Sequence, residues 1–120
     1  MARGDELEER LIDFAVRVIA VCNALSDKPT ERHIRGQLLR SGTSPAPNYG
    51  EARAAESDKD FIHKLKIVLK ELNESRVWLK ILIRTNILSA RLLADLLDEC
   101  DQLCRIISAS IQTARKSAVN

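Results

Sequence analysis

This chain is short of almost everything that would point directly to chemistry. Aromatic residues make up 3% of its 120 positions, which leaves few flat faces for the base stacking on which single-strand binders rely. It holds 4 glycines and 3 prolines, and no Gly-rich phosphate loop among them. The 3 cysteines are an odd number. Cys22, Cys100 and Cys104 sit inside helical patterns and lack the paired spacing of a zinc site or a secreted disulfide framework. They read as buried apolar thiols in a reducing cytosol. The opening MARGDELEER is charged where a signal peptide needs an apolar run, and no apolar stretch approaches a bilayer span. A soluble cytoplasmic protein without membrane contact is the expectation. Charge of one sign is lacking as well. With 19 Lys and Arg against 17 Asp and Glu, the net charge is +2, so the distribution of charge rather than its sum must decide whether nucleic acid is a partner.

What the chain has is helical periodicity. From Ser57 to Arg84, Phe61, Leu65, Val68, Leu72, Ser75, Leu79 and Leu82 alternate steps of four and three, one stripe on a helix of about 3.6 residues per turn. Ser57 with Asp60 three residues on is a short-armed capping box that starts this central helix. Before it, Leu7, Leu11, Phe14, Val18, Val21 or Cys22, and Leu25 predict a first helix over about Asp5 to Leu25. Glu6, Glu8 and Glu9 suit the positive end of its dipole. Ser26 to Pro29 reads as a turn, and a second helix begins near Thr30, since Pro is tolerated at a helix opening. Ile34, Leu38, Ser41, Pro45, Tyr49 and Ala52 continue its stripe. Pro45 and Pro47 lack amide donors and disfavour helical backbone in the preceding residue, so this arm should break into two segments around Ser44 to Pro47. Ser89 can cap a last helix to about Lys116, with Leu93, Leu96, Leu97, Cys100, Leu103, Cys104, Ile107 and Ile111 on its core side, and with residues from Ser117 to Asn120 frayed. Taken as a single domain over 1–120, the pattern predicts an all-α, antiparallel up-and-down four-helix bundle.

Catalytic and metal constellations find little support. A di-iron bundle needs Glu-x-x-His elements on separate helices, and Asp60 with His63 is one Asp-x-x-His pair whose Asp is already a cap. Glu71 and Glu74 read as partners for Arg or Lys on a wet surface. Cys100 and Cys104 lie on an apolar face without a histidine near in sequence, which predicts inert thiols. His33 and His63 do not make the closely spaced Arg and His pattern of a HEPN-type ribonuclease. A non-enzymatic protein with no cofactor and no metal follows.

Two surface patterns remain. Lys59, Lys66, Lys70, Lys80 and Arg84 fall within about a quarter of the central helix's circumference, with Asn73 and Val77 between them. Such a row suits phosphates; the alternative is a solvated face whose Lys stems cover apolar surface. Second, Ile12, Val16 and Ile19 form a surplus apolar row on the first helix, and Ile67, Trp78 and Ile81 one on the central helix. Together they predict a subunit interface, with a wrap-around core as the alternative.

The lead Ser41-Gly42-Thr43-Ser44, the pair Asn48 and Glu51, the helix start Ser57-x-Lys59-Asp60-Phe61, and Lys70-Glu71-x-x-Glu74-Ser75 with Trp78-Leu79 form a recognisable set. Over Ser41 to Lys80 it resembles the bacterial four-helix-bundle family that includes proteins encoded in intervening sequences of large-subunit ribosomal RNA genes and the accessory variability determinant of diversity-generating retroelements. The resemblance implies a ring-shaped homo-oligomer, a pentamer, whose basic surface contacts RNA or DNA, and a reverse transcriptase or other neighbouring-gene protein as partner. Pro45, Pro47 and Gly50 depart from the family pattern around Asn48. Asn48 and Glu51, three apart, read as a buried hydrogen-bonded pair tying the second helix to its neighbour. Two functions stay open: a nucleic-acid-binding accessory protein, which needs the basic row exposed, and a structural or protein-interaction module, which needs an exposed apolar or acidic groove.

Overall fold

The computed structural model describes residues 3–119; Met1, Ala2 and Asn120 lie outside it. Five helices follow one another: α1 (Arg3–Ala24), α2 (Pro29–Thr43), α3 (Pro45–Arg53), α4 (Asp58–Thr85) and α5 (Ala90–Val119). No strand occurs among the described residues. α2 and α3 together make one arm, so the molecule is an all-α four-membered bundle, 51 × 24 × 23 Å. α1 packs on α2, α3 and α5, and α4 packs on the same three, which places α1 diagonally across from α4. The helix at the C-terminus runs through Val119, so Ser117 and Ala118 extend it rather than fray.

The helix boundaries have local causes. Ser57 is extended and its hydroxyl accepts from the Asp60 amide at 3.1 Å, capping α4. Asn86 ends that helix in the left-handed region at φ 58°, a conformation that asparagine tolerates better than most residues. At the start of α2, Glu31 reaches back to Ser26, accepting from its amide at 2.8 Å and its hydroxyl at 2.5 Å. The break between α2 and α3 falls at Ser44, as the prolines require. Its form differs from expectation, because Ser44 itself stays helical at φ −71°, ψ −37°. Ser44 donates to Arg40 and accepts from the Asn48 amide, both at 3.2 Å. What the prolines remove is two rungs of the ladder, the donors that would have met the Ser41 and Thr43 carbonyls, and not the helical backbone.

The core is one cluster. Leu11, Phe14, Val18, Leu65, Leu72, Leu79, Leu96, Leu103 and Ile107 are all buried in it, with Leu38 and Tyr49 from the second arm. Small residues let that arm approach closely. Gly42 lies against Val18, where an added Cβ would stand 2.7 Å from both Val18 methyls. Ser75 Oγ of α4 lies 2.8 Å from Ser41 Oγ of α2, and these two buried hydroxyls also reach the carbonyls of Glu71 and Leu38. A polar contact this deep is tolerated because both hydroxyls have partners.

Candidate nucleic-acid interface and assembly surface

The basic row is where the spacing puts it, on the outer face of α4 turned toward α5. Lys59, Lys66, Lys70 and Arg84 are exposed and Lys80 is half-buried. Elsewhere seven cations are committed to carboxylates, Arg10 to Glu99, Arg32 and Arg35 to Asp27, Arg40 to Glu71 and Glu74, Arg53 to Asp5 and Glu8, Lys64 to Glu51 and Arg76 to Asp101, while Arg17, Lys28, Arg91, Arg105, Arg115 and Lys116 make no ion pair among the described residues. Among the described residues, no ion pair engages any of the five row members. Val77, 51% exposed, is the one large apolar side chain within the row.

The apolar rows divide differently from the sequence pattern. Ile12, Val16 and Ile19 are 40%, 58% and 41% exposed on the flank of α1 that turns toward α2. Leu39, which no spacing argument singled out, is 40% exposed and sits one turn before Gly42, hence on the same outer flank beside Val18 and Ile19. It escaped notice because Leu38 beside it carries the core position, and a lone extra leucine has no period. On α4, Ile81 is exposed and Ile67 half-buried. Trp78 packs against its own core, meets the His33 ring edge-on at 6.0 Å and donates from Nε1 to Glu74 at 3.2 Å. Its first partners are therefore α2 and its own helix.

The polar pair Asn48 and Glu51 does not form. Asn48 Nδ2 turns back one helical turn, donating to the Ser44 carbonyl at 3.0 Å and the Ser44 hydroxyl at 2.9 Å. Glu51 is exposed and accepts from Lys64 of α4 at 3.2 Å. The reason is local: the Ser44 hydroxyl, beside a carbonyl that already accepts the Asn48 amide, stands one turn before Asn48, and α4 offers Glu51 a cation. Glu71 and Glu74 do find an arginine, but it is Arg40 of α2, which spans both and clamps α2 to α4. Arg40, with Trp78 adding its indole N–H, holds the Glu74 carboxyl below the usual glutamate range.

All three cysteines are free, Cys22 and Cys100 buried and Cys104 half-buried. Burial pushes the Cys22 thiol up, and within the Cys100 and Cys104 pair the hydrogen bond between the thiols pushes Cys100 up and holds Cys104 below its ordinary value. No group of three His, Cys, Asp or Glu among the described residues could hold a metal ion. No described helix is long and apolar enough to cross a membrane.

A bundle of this topology hosts many functions, so relatives carry weight here. The family model for the 23S rRNA-intervening sequence protein matches residues 6–109. The chain belongs to that family. A crystal structure of a protein of unknown function from the S23 ribosomal protein family of Bacteroides thetaiotaomicron superposes with a TM-score of 0.85 at 32% identity, over 92% of this chain and 99% of that one. No curated protein matches the chain. Every residue of the basic row and of the apolar rows lies inside the stretch that the 23S rRNA-intervening sequence family shares, whereas the last turns of α5, with Arg115 and Lys116, lie beyond it.

Proposed function

We propose that this family member is a non-enzymatic, homo-oligomeric bundle that binds RNA or DNA through phosphate contacts made by the outer face of α4. The observation that carries the reading is that Lys59, Lys66, Lys70, Lys80 and Arg84, gathered on one face of one helix, make no ion pair, while Arg10, Arg40, Arg53, Lys64 and Arg76 are held by carboxylates. Free ammonium and guanidinium groups on one rigid helix displace condensed counterions when they meet a phosphate backbone. The row extends roughly 38 Å at 1.5 Å per residue, close to the 34–36 Å of one duplex turn. With so few aromatics, affinity has to come from phosphates rather than bases, which predicts little sequence preference.

Oligomerisation is supported by the position of the apolar rows. The stripe of Ile12, Val16, Ile19 and Leu39 lies on the α1 and α2 flank, while Ile67, Ile81 and the exposed edge of Trp78 lie on another face of the bundle. Two different surfaces meeting head to tail make a heterologous contact, which forms a ring where its rotation closes, and the family resemblance supports five subunits. A ring multiplies a modest single-site affinity through effective concentration.

The test is retardation of duplex DNA and structured RNA at low salt, followed by titration with salt. Reversing Lys66, Lys70 and Lys80 to Glu should abolish binding and leave helicity and oligomer size as they were. A parent protein that retards neither nucleic acid, or a triple reversal that binds as well as the parent, reduces the row to a solvated face. The second reading, a module that holds a separately encoded protein such as a reverse transcriptase, then takes over. It is favoured by the exposed apolar stripe on α1 and α2, which fits a foreign helix as readily as a second copy.

A further inference from the structure

The two halves of the basic row face different stretches of α5. The helices run antiparallel in a register marked by Arg76, which donates to Asp101 at 2.8 Å, and by Cys104 Sγ, 3.7 Å from Asn73 Oδ1. Toward the start of α4, Lys70 and Lys66 come level with the stretch of α5 from Arg105 to Arg115. In the other direction Lys80 comes level with Asp98, one turn from the Asp101 carboxylate. The Lys66 and Lys70 half of the row therefore lies alongside Arg105 across the seam, whereas Lys80 lies alongside the Asp98 and Asp101 stretch.

Between the helices at the cationic half runs an open groove of about 480 Å3 whose lining includes Asn73, Arg105, Ser108 and Gln112. Among the described residues, no hydrogen bond or ion pair engages Arg105, Ser108 or Gln112 side chains, and Asn73 uses only its carbonyl oxygen. The groove thus joins Arg105 and the polar groups of Asn73, Ser108 and Gln112 to a lining of Leu69, Cys104 and Ala109, with Lys66 and Lys70 one turn from Leu69 and Asn73 on α4 and Arg115 one turn from Gln112 on α5.

We propose that this groove seats one phosphodiester strand, with Lys66 and Lys70 on one rim, Arg105 and Arg115 on the other, and Asn73, Ser108 and Gln112 donating to phosphate or sugar oxygens beneath. The proposal rests on the nucleic-acid reading above and narrows it: Lys80 and Arg84 lie outside the footprint, and α5 supplies half of the charge. Arginine suits the second rim because its planar fork meets two phosphate oxygens at once. The groove lies across the bundle from the stripe of Ile12, Val16, Ile19 and Leu39, so that side of the contact does not cover it.

The experiment compares the salt dependence of binding for the parent, Arg105→Gln with Arg115→Gln, and Lys80→Gln with Arg84→Gln, using duplex RNA and duplex DNA of one sequence. Each lost phosphate contact lowers the slope of log K against log salt by about 0.9 on duplex DNA. The α5 pair should therefore lower it by roughly 2, and the Lys80 and Arg84 pair should leave it unchanged. The nucleic acid whose slope falls is the one held in the groove. Circular dichroism confirms that the exposed substitutions leave the fold intact. A parent that binds neither duplex defeats the nucleic-acid reading itself. A parent that binds, with the α5 pair keeping its slope or with both pairs lowering the slope equally, leaves that reading standing and overturns the groove.

Discussion

Two glycines of α2 should respond to the same substitution with opposite signs. A Cβ at Gly36 would meet nothing within 4 Å, whereas a Cβ at Gly42 would stand 2.7 Å from Val18 Cγ1 and Cγ2 and 3.0 Å from Val18 Cβ. Alanine in a helix interior is favoured over glycine by about 1 kcal/mol. Gly36→Ala should collect that gain in full. At Gly42 the same gain is opposed by contacts about 1 Å inside the usual 3.5–4.0 Å carbon separation. Val18 cannot relieve them by rotating, because a β-branched side chain in a helix has one strongly preferred χ1 and both of its methyls are in the way. α1 and α2 must then move apart, and overpacking of this kind costs about 1–3 kcal/mol. Taking the upper end, Gly42→Ala should be destabilised by about 2 kcal/mol net, a fall in Tm of roughly 8 °C at about 4 °C per kcal/mol for a chain of this size. Urea unfolding at fixed protein concentration measures both variants, concentration being held because an oligomer's stability depends on it. Val18→Ala combined with Gly42→Ala should be more stable than the sum of the single effects by about 2 kcal/mol, since the new methyl fills space that the valine vacates. A Gly42→Ala protein stabilised as Gly36→Ala is, with helix propensity alone deciding, would refute the close approach of α1 and α2.

The assembly surface is tested by Val16→Glu, at the most exposed position of the α1 row. It should convert the oligomer to a monomer in sedimentation with helicity unchanged, and a parent that is itself monomeric at micromolar concentration removes the assembly. For acid stability, the Ser26 hydroxyl and amide hold the Glu31 carboxyl below its ordinary value of 4.5. Its contribution is therefore complete above that pH and lost as pH falls through the lowered value. Glu31→Gln should be less stable at neutral pH and lose less between pH 5 and pH 3 in urea midpoints, and a decline as steep as the parent's would place the acid sensitivity elsewhere.

What the sequence by itself determined is whatever depends on a residue and its neighbours within a turn or two. The stripes from Leu7 to Leu25, Phe61 to Leu82 and Leu93 to Ile111 set which face of each long helix is buried, because helical periodicity is a local property. Ser57 caps α4 by a bond to an amide three residues away, and the prolines interrupt the ladder near Ser44, for the same reason. That Lys59, Lys66, Lys70 and Arg84 are exposed and Lys80 half-buried follows from the row's angle to the core stripe. Only the tertiary structure decided what stands across each seam. That Arg40 spans Glu71 and Glu74, that Trp78 meets His33, that Asn48 and Glu51 look in different directions, and that Arg105 shares a groove with Asn73 all depend on the axial register between helices. That register is set by how side chains from separate helices interlock, as Gly42 does on Val18 and Ser41 on Ser75, and no spacing along one helix contains it.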